Sequence, residues 1–378
     1  MLLRRLSVLL GLALWLNAAS AAVPLPSPPS IPGSSHILVD FHTGEVLAEK
    51  NPDERVEPAS ITKVMTTYVI FKQLEAGTLS LDDMVTVSEK AWRAPGSRMF
   101  IEVGKRISVQ DLLKGVIIQS GNDASIALAE HVAGTEESFA DLMNQYAAQL
   151  GLTGSHFVNA TGLPHPEHYV TARDVAMLAR AMIRDFPDYY TWYSEREFTW
   201  NGIRQSNRNL LLYRDDRVDG MKTGHTESAG YCLVSSAKDG DMRLISVVMG
   251  TSGDRERADA SQALLNYGFR FFETHKLYAA GAELSRVKIW KGASEDVGLA
   301  SAQDIYVTIP RGRYGELDAA MDLGKAIVAP VAPGDVLGVV RVSLDGRELV
   351  RAPLTPVEAV EQGGLFRRMV DSVLMLFE

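Results

Sequence analysis

The stretch Ser60-Ile61-Thr62-Lys63 places a hydroxyl and an amine three residues apart at the start of an apolar segment. On a helix, such residues lie on one face, about 5–6 Å apart at Cβ, so the amine can reach the hydroxyl. A serine hydroxyl is a poor nucleophile until a neighbouring base takes its proton, and Lys63 can serve as that base toward Ser60. Short patterns also arise by chance, and Ser60 could simply be a helix N-cap. The pattern gains weight only if the rest of a site can be found.

The residues around this stretch predict a buried helix. Apolar residues recur at helical spacing from Ile61 onward, and Gly77 predicts the end of the helix. A later helix ends at the turn Ser120-Gly121-Asn122-Asp123, where Asn122 or Asp123 can cap the alanine-rich helix that follows.

Further along the chain, the apolar pattern changes to a period of two. Residues 231–237 and 242–249 predict strands, and Asp239-Gly240 between them is a strong hairpin signal. Residues 218–224, which end in Lys222-Thr223-Gly224, predict a third adjacent antiparallel strand. Helices on both sides of such a sheet give a domain of the α/β class with few parallel βαβ units, of the α+β type.

The pattern changes again after residue 278. Short alternating runs broken by proline and glycine, with a hairpin signal at Asp345-Gly346, predict a small all-β domain over residues 279–357. Residues 361–378 predict an amphipathic helix with Arg367 and Arg368 beside a wide apolar face. Such a helix can lie in a membrane interface or pack on its own protein. It is too short and too charged to span a membrane.

The first residues predict export. Arg4 and Arg5 precede an apolar run over residues 6–16 and the small-residue site Ala19-Ser20-Ala21, which together are typical of a signal peptide over residues 1–21. An uncleaved anchor is the alternative, but so short a run spans a bilayer poorly. The proline- and serine-rich residues 22–33 form a leader, and the catalytic domain is expected over residues 34–278.

Composition and cysteine usage narrow the class of protein. A formal net charge of −9 without a basic tract argues against a nucleic-acid partner. Cys232 is the single cysteine, so no intrachain disulfide can form, and its apolar neighbours predict a packed thiol. Export without disulfides fits a bacterial envelope protein. His165 and His168 have the spacing of a zinc pair, but the prolines between and around them argue against a helix there. We therefore expect neither a metal nor another cofactor, and the oligomeric state is not predicted.

Two further motifs supply the groups that Ser60 and Lys63 lack. Ser120-Gly121-Asn122 places a hydroxyl and an amide in a tight turn, and Lys222-Thr223-Gly224 places a cation and a hydroxyl on a strand. The glycine of the second motif would let a substrate backbone approach closely.

Each of these groups receives an expected role. Ser120 would pass protons to the leaving group with help from Lys222. Asn122 would hold a substrate amide, and Thr223 would bind a substrate carboxylate. Lys63 can act as a base only if its pKa falls below the value of about 10.4 for a free lysine. Burial and the charge of Lys222 would both lower that pKa.

The three motifs, in this order, resemble the signature of the penicillin-recognising serine enzymes. More narrowly, the chain resembles the low-molecular-mass penicillin-binding proteins that act as D-alanyl-D-alanine carboxypeptidases. The matching stretches are residues 59–66, 120–124, 219–226 and 268–274, and the resemblance covers nearly the whole exported chain. It implies a serine β-lactamase/transpeptidase-like catalytic domain.

The resemblance also implies an activity and further site residues. The family removes the terminal D-alanine from peptidoglycan pentapeptide stems through an acyl-serine, here on Ser60, and is acylated by β-lactams. Backbone N–H groups of Ser60 and His225 would form the oxyanion hole. Arg257 would help to hold the terminal carboxylate of the substrate, with Arg255 as the alternative. The implied partners are stem peptides, β-lactams and, through the terminal helix, a membrane surface.

Other functions compete with this one. A class A β-lactamase needs an additional glutamate, and Glu167 is the only carboxylate in the expected neighbourhood. A D,D-endopeptidase is a closer alternative, although such enzymes commonly lack a second domain. An inactive envelope scaffold that binds stem peptides is the non-enzymatic alternative. The intact Ser60, Lys63, Ser120 and Lys222 argue against such a scaffold.

Overall fold

The computed structural model describes residues 25–377, so the predicted signal peptide lies outside the described residues. In the first part of the chain, two strands precede a run of helices and three long strands. The regular elements are, in order, β1 (Ser35–Asp40), β2 (Val46–Lys50), α1 (Thr62–Glu75), β3 (Met84–Thr86), α2 (Glu89–Trp92), β4 (Arg106–Ser108), α3 (Val109–Lys114), α4 (Asn122–Ala133), α5 (Glu136–Gln149), α6 (Ala172–Asp185), α7 (Pro187–Tyr190), β5 (Glu197–Trp200), β6 (Ile203–Ser206), β7 (Val218–Thr226), β8 (Gly230–Asp239), β9 (Met242–Thr251) and α8 (Asp254–Phe271).

The second part of the chain consists of strands followed by one helix. The elements are β10 (Phe272–Tyr278), β11 (Glu283–Trp290), β12 (Asp296–Ala300), β13 (Ile305–Pro310), β14 (Asp318–Asp322), β15 (Ile327–Val328), β16 (Gly338–Leu344), β17 (Arg347–Pro356) and α9 (Leu365–Leu374). Short 3-10 turns and one π-helical turn, which matter for the site, are introduced below.

A five-stranded antiparallel sheet forms the centre of the first part, with strand order β2-β1-β9-β8-β7. β8 and β9 form the predicted hairpin, and Gly240 in its turn has the left-handed φ of +59° that a tight turn favours. β7 lies at the sheet edge beside β8, as predicted. The expected fold class is confirmed.

Successive side chains along a strand point to opposite faces of this sheet, so each face packs against its own hydrophobic cluster. On β1, Ile37 packs into the large cluster formed with α1, α4 and α6, whereas Leu38 faces the cluster built around α8. This is the period-two pattern of a strand that is buried on both sides. The sheet therefore has a thick helical layer on one face and α8 on the other.

Helix α1 is buried almost all round, which explains why its sequence is apolar on several faces. Ala76 follows it, and Gly77 with a φ of +70° turns the chain away, as predicted. The helix is preceded by a 3-10 turn, Ala59–Ile61, in which Ser60 makes no capping hydrogen bond. Ser60 is therefore not an N-cap, and its hydroxyl is left for other contacts.

The all-β part contains a six-stranded sheet of order β14-β16-β17-β12-β11-β15, with the predicted β16–β17 hairpin at Asp345-Gly346. Only the β11–β15 pair is parallel. β10 follows α8 directly and pairs with β13. The buried Thr274 hydroxyl on β10 donates to Asp40 Oδ2 at 2.7 Å, which ties this part to the end of β1.

Helix α9 lies on the outside of the all-β part. Its polar side is held there, because Asp371 accepts the backbone N–H of Lys291 and Arg367 donates to the Ser294 carbonyl at 2.9 Å. Its apolar side chains remain open to solvent, with Phe366 78% and Met369 64% exposed. Within residues 25–377, no helix is both long enough and apolar enough to cross a membrane.

Candidate active site

The 3-10 turn that carries Ser60 is clamped between two glycines. Ala59 in this turn has a left-handed φ of +47°, unusual for a residue with a side chain. A Cβ added to Gly162 would lie 1.8 Å from the Ala59 carbonyl oxygen, and one added to Gly224 would lie 3.0 Å from the Pro58 carbonyl oxygen. Gly224 thus permits a close approach between β7 and this turn, and because it also lines the cleft, its expected contact with a substrate backbone stays a prediction.

Lys63 lies in the first turn of α1 and its side chain is only 1% exposed. Its Nζ contacts three oxygens: Ser60 Oγ at 3.1 Å, Asn122 Oδ1 at 2.7 Å and the Thr161 carbonyl at 2.6 Å. A neutral amine has two N–H groups and one lone pair. Because the amide and carbonyl oxygens can only accept, they take the two N–H groups, and the lone pair is left pointing at the Ser60 hydroxyl. This is the geometry of a base beside its nucleophile.

Burial, and after it the positive charge of Arg208, lower the pKa of Lys63 to about 7, while Asp123 and Glu136 oppose this shift. The lowered pKa was expected. The contribution of Arg208 was not expected, and it adds to the repulsion between Lys63 and Lys222. Lys222 is itself buried, and its own pKa is lowered well below the usual value by that burial and then by nearby cations.

The Ser120-Gly121-Asn122 turn approaches Lys63 from the other side. A π-helical turn, Gly115–Gln119, follows α3, and Ser120 ends it with a left-handed φ of +67°. Ser120 lines the cleft described below, and within residues 25–377 its hydroxyl makes no hydrogen bond. It is placed to exchange protons with a bound ligand.

Asn122 contacts the base and the far wall of the cleft. Its Oδ1 accepts from Lys63, and its Nδ2 donates to the Pro95 carbonyl at 2.6 Å. Asn122 therefore positions the base, and because it also lines the cleft and keeps a second N–H, its expected contact with a substrate amide stays a prediction. The capping prediction was wrong, since α4 begins at Asn122 and neither Asn122 nor Asp123 occupies the cap position at Gly121.

Strand β7 forms the opposite wall of the cleft. Lys222 is 3% exposed and its Nζ donates to the Thr223 carbonyl at 3.0 Å, so its charge lies behind the surface that Thr223 presents. The ring of His225 lies 3.9 Å from that of Tyr231, measured between centroids. His225 thus shapes the wall with its side chain. The oxyanion hole expected from the Ser60 and His225 N–H groups stays a prediction.

Arg257, in the first turn of α8, reaches the same wall. Its Nη1 donates to the Gly224 carbonyl at 2.9 Å, and it lines the cleft although the side chain is largely buried. Arg255 is exposed and is not among the lining residues. Of the two arginines considered from the sequence, only Arg257 is within reach of a ligand in the cleft.

These elements enclose a cleft of about 520 Å³. Although the protein is acidic overall, no carboxylate among residues 25–377 lines the cleft, whereas two arginines do. An anionic ligand is therefore favoured there over a cationic one. The lining residues are Ser60, Gly96, Ser97, Ser120, Asn122, Thr161, Gly162, Leu163, Arg208, Thr223, Gly224, His225, Thr226, Tyr231 and Arg257.

Sequence reasoning missed Arg208 and Ser97, which face each other in the cleft with Arg208 Nη1 donating to Ser97 Oγ at 2.7 Å. Neither residue belongs to a short motif. Arg208 stands between two asparagines whose side chains accept backbone N–H groups and so shape an irregular segment. These asparagines are the one signal that the sequence gives near Arg208, and they predict a turn but no functional site.

The loop after Leu163 places its histidines and its glutamate away from the chemistry. His168 is buried, with its Nε2 2.9 Å from Thr62 Oγ1, and burial lowers its pKa to about 4. His165 Nδ1 accepts the backbone N–H of Glu167. Glu167 is exposed and does not line the cleft. In the part of the chain that the structure describes, no three metal-ligating side chains come together.

Two family models match the chain: one described as D-alanyl-D-alanine carboxypeptidase over residues 22–253, and one described as the C-terminal domain of penicillin-binding protein 5 over residues 272–362. The chain belongs to the D-alanyl-D-alanine carboxypeptidase family. The resemblance inferred from the sequence motifs is thus confirmed.

Individual relatives in this family are similar along most of their length. D-alanyl-D-alanine carboxypeptidase DacC of Escherichia coli is 47% identical, and the alignment covers 98% of this chain and 96% of the relative. DacA of the same organism is 42% identical, with 93% and 90% covered. The solved structure of penicillin binding protein 5 from Haemophilus influenzae superposes with a TM-score of 0.85 at 43% identity, covering 89% of this chain and all of that one.

The clamp on the Ser60 turn can be tested by adding one methyl group. We expect Gly162→Ala to lower the rate of Ser60 labelling by a fluorescent penicillin by at least about tenfold, because the turn must move away from the new Cβ. Gly151→Ala is the matched control, since Gly151 has a similar φ of +74° and its nearest neighbour would be 3.8 Å away. Equal labelling rates in the two variants would contradict the clamp.

Proposed function

We propose that this protein is a serine-type D-alanyl-D-alanine carboxypeptidase, which removes the terminal D-alanine from peptidoglycan pentapeptide stems and is acylated on Ser60 by β-lactams. The observation that carries this proposal is the buried Lys63 amine, held by two acceptors with its lone pair toward Ser60. The family to which the chain belongs, and relatives at 47% and 42% identity, support the same activity.

The first half of the reaction forms an ester. Ser60 Oγ attacks the carbonyl carbon of the last peptide bond while Lys63 takes the hydroxyl proton. The N–H groups of Ser60 and His225 would stabilise the negative oxygen of the tetrahedral intermediate. The C–N bond then breaks, and D-alanine leaves as an amine after receiving the proton that Lys63 took from Ser60. This proton would pass through the Ser120 hydroxyl, with Lys222 behind it. The acyl group remains on Ser60.

The second half hydrolyses this ester. Lys63, neutral again, takes a proton from a water molecule that attacks the ester carbonyl, and Ser60 recovers its proton as it leaves. The shortened stem departs with a new carboxylate. A β-lactam would follow the first half, with its ring amide in place of the peptide bond.

Substrate recognition would begin with the terminal carboxylate. Arg257 carries a positive charge to the β7 wall, and Thr223 lines the same wall with a hydroxyl. Together they suit a carboxylate at the end of a peptide that lies along β7, because a guanidinium and a hydroxyl can both donate to it. The absence of carboxylates from the cleft lining favours the same ligand.

The alternatives fit the site less well. A class A β-lactamase would need a carboxylate beside the acyl-serine, and Glu167 is exposed and outside the cleft. An inactive scaffold would not need a buried lysine with a pKa of about 7. A D,D-endopeptidase would use the same chemistry, but the relatives at 47% and 42% identity are carboxypeptidases.

We also infer where the protein works. The signal peptide at residues 1–21 would deliver a leader (residues 22–33), a catalytic domain (34–278) and an all-β domain (279–357) to the periplasmic side of the bacterial inner membrane. The terminal segment, residues 361–378, would bind the membrane surface as a peripheral anchor. The exposed apolar side of α9, with Arg368 beside it, supports this placement.

The proposed activity is tested by two measurements: the release of D-alanine from a D-Ala-D-Ala-terminated peptide, and the labelling of the protein by a fluorescent penicillin. We expect the wild-type protein to do both and Ser60→Ala to do neither while remaining folded, because the nucleophile is lost. Rapid turnover of penicillin by the wild type would indicate a β-lactamase. Labelling without release of D-alanine would contradict the carboxypeptidase assignment.

The rate constant for acylation should rise with pH through about 7, because only neutral Lys63 can accept the Ser60 proton and its pKa lies near that value. Removing the Arg208 charge by Arg208→Gln raises the pKa of Lys63, so the midpoint should move to higher pH. Arg255→Gln, which removes an exposed charge outside the cleft, should leave the midpoint in place. Stopped-flow acylation from pH 5 to 9 measures this; a flat profile would exclude Lys63 as the base.

The anchor can be tested with vesicles of phosphatidylethanolamine and phosphatidylglycerol. We expect Met369→Glu to reduce sedimentation with these vesicles by at least about fivefold, because it puts a charge in the apolar side of α9. Val336→Glu is the matched control, since Val336 in the all-β part is equally exposed, at 64%. If both variants sediment like the wild type, α9 is not the membrane contact.

A further inference from the structure

Residues 95–101, here named the wall segment, form the side of the cleft opposite β7. Gly96 and Ser97 line the cleft, Met99 is fully buried and Phe100 is 47% exposed. The segment belongs to no helix or strand, so its own backbone does not fix its shape. Phe100 has a left-handed φ of +69°, a conformation that a bulky residue adopts only when its surroundings impose it.

A buried carboxylate imposes this conformation. Asp123 is completely inaccessible to solvent. Its Oδ1 accepts the N–H of Met99 at 2.8 Å, and its Oδ2 accepts the N–H groups of Phe100 at 2.8 Å and Ile101 at 3.3 Å. Three successive backbone donors thus converge on one side chain, and without it the buried N–H groups of Met99 and Ile101 would lose this partner. Gly121 leaves the space for it, since a Cβ there would lie 2.8 Å from Asp123 Oδ1.

The wall segment in turn fixes Asn122. The Asn122 N–H donates to the Ser97 carbonyl at 2.7 Å, and its Nδ2 donates to the Pro95 carbonyl at 2.6 Å. A reversed amide would set its oxygen against the Pro95 carbonyl and its NH₂ against the Lys63 amine. The two carbonyls therefore decide that Asn122 Oδ1 faces Lys63.

We propose that Asp123 is a positioning residue of the acylation reaction, which acts through the wall segment and Asn122 to hold the Lys63 lone pair on Ser60. The inference rests on the proposed function, because it assigns a part in that reaction. If Asp123 only stabilised the fold, its carboxylate would not affect the rate of acylation at saturating β-lactam concentration. The proposal requires that this rate depends on the carboxylate.

The pH dependence of acylation supplies a second measurement, because charges around Lys63 set its pKa. Asp123 on α4 and Glu136 on α5 favour its charged form, whereas Arg208 favours the neutral one. Lys222 on β7 and His168 on the loop are also near enough to interact, and burial lowers the pKa of each. Removing the Asp123 charge therefore lowers the pKa of Lys63. The acid limb of the pH–rate profile, which is the pH range over which the acylation rate rises, would move to lower pH. Arg208→Gln is expected to move it in the opposite direction.

The test compares Asp123→Asn with Asp174→Asn in stopped-flow acylation by benzylpenicillin. Asp174 is the matched control: it is 5% exposed, lies near the start of α6 and accepts the Gly154 N–H at 2.8 Å, but it does not line the cleft. We expect Asp123→Asn to lower the saturating acylation rate by at least about tenfold, within the range of general-base effects. The benzylpenicillin concentration that gives half of the maximal acylation rate should change by a smaller factor than the rate itself. The acid limb should move to lower pH.

Asp174→Asn should lower the thermal midpoint without changing the saturating rate or the acid limb. If Asp123→Asn behaves in the same way as Asp174→Asn, Asp123 is merely structural and the proposal is overturned. If Asp123→Asn does not fold, Gly121→Ala displaces the carboxylate more gently, and a normal saturating rate in that variant would equally overturn the proposal. A wild-type protein that fails to react with benzylpenicillin would instead contradict the proposed function.

Discussion

The structure depends on keeping a lysine amine neutral and oriented inside a protein core. Lowering the pKa of Lys63 from 10.5 to about 7 corresponds to a shift of about 5 kcal/mol toward the neutral form, relative to a free lysine. Burial supplies most of this shift, so the helix that carries Lys63 must be buried nearly all round. The oxygen atoms of Asn122 and Thr161 then satisfy the two N–H groups, which would otherwise be unpaired in the core.

Each partner of this amine comes from a different part of the chain. Asn122 follows a π-helical turn, Thr161 lies in an irregular loop and Ser60 lies in a 3-10 turn. None of these segments has a regular hydrogen-bonding pattern to fix its position. Close contacts at Gly162 and Gly224 and the buried carboxylate of Asp123 take over that task. The central sheet provides the frame, because β7 forms one wall and its edge is free to face the turn.

The charged residues that line the cleft have the opposite sign to the net charge of the chain. The protein is acidic overall, yet its cleft presents arginines and no carboxylates. The acidic groups that influence Lys63, Asp123 and Glu136, are buried behind the cleft and accept backbone N–H groups there. A carboxylate-bearing ligand thus meets two arginines in the cleft, while Asp123 and Glu136 serve the internal structure.

The sequence by itself determined the helix that follows Ser60 and carries Lys63, the β8–β9 hairpin, the all-β part and the amphipathic end, because periodicity and turn residues are local properties. It also supplied the reactive groups, since Ser60, Lys63, Ser120 and Lys222 stand in short motifs with recognisable chemistry. Only the tertiary structure decided what these groups contact. Arg208 is an additional cation near Lys63, and Asn122 accepts a hydrogen bond from the base. Asp123 holds a loop instead of capping a helix. Such assignments depend on side chains that meet from distant segments, and no local pattern records which of the possible partners a folded chain brings within hydrogen-bonding distance.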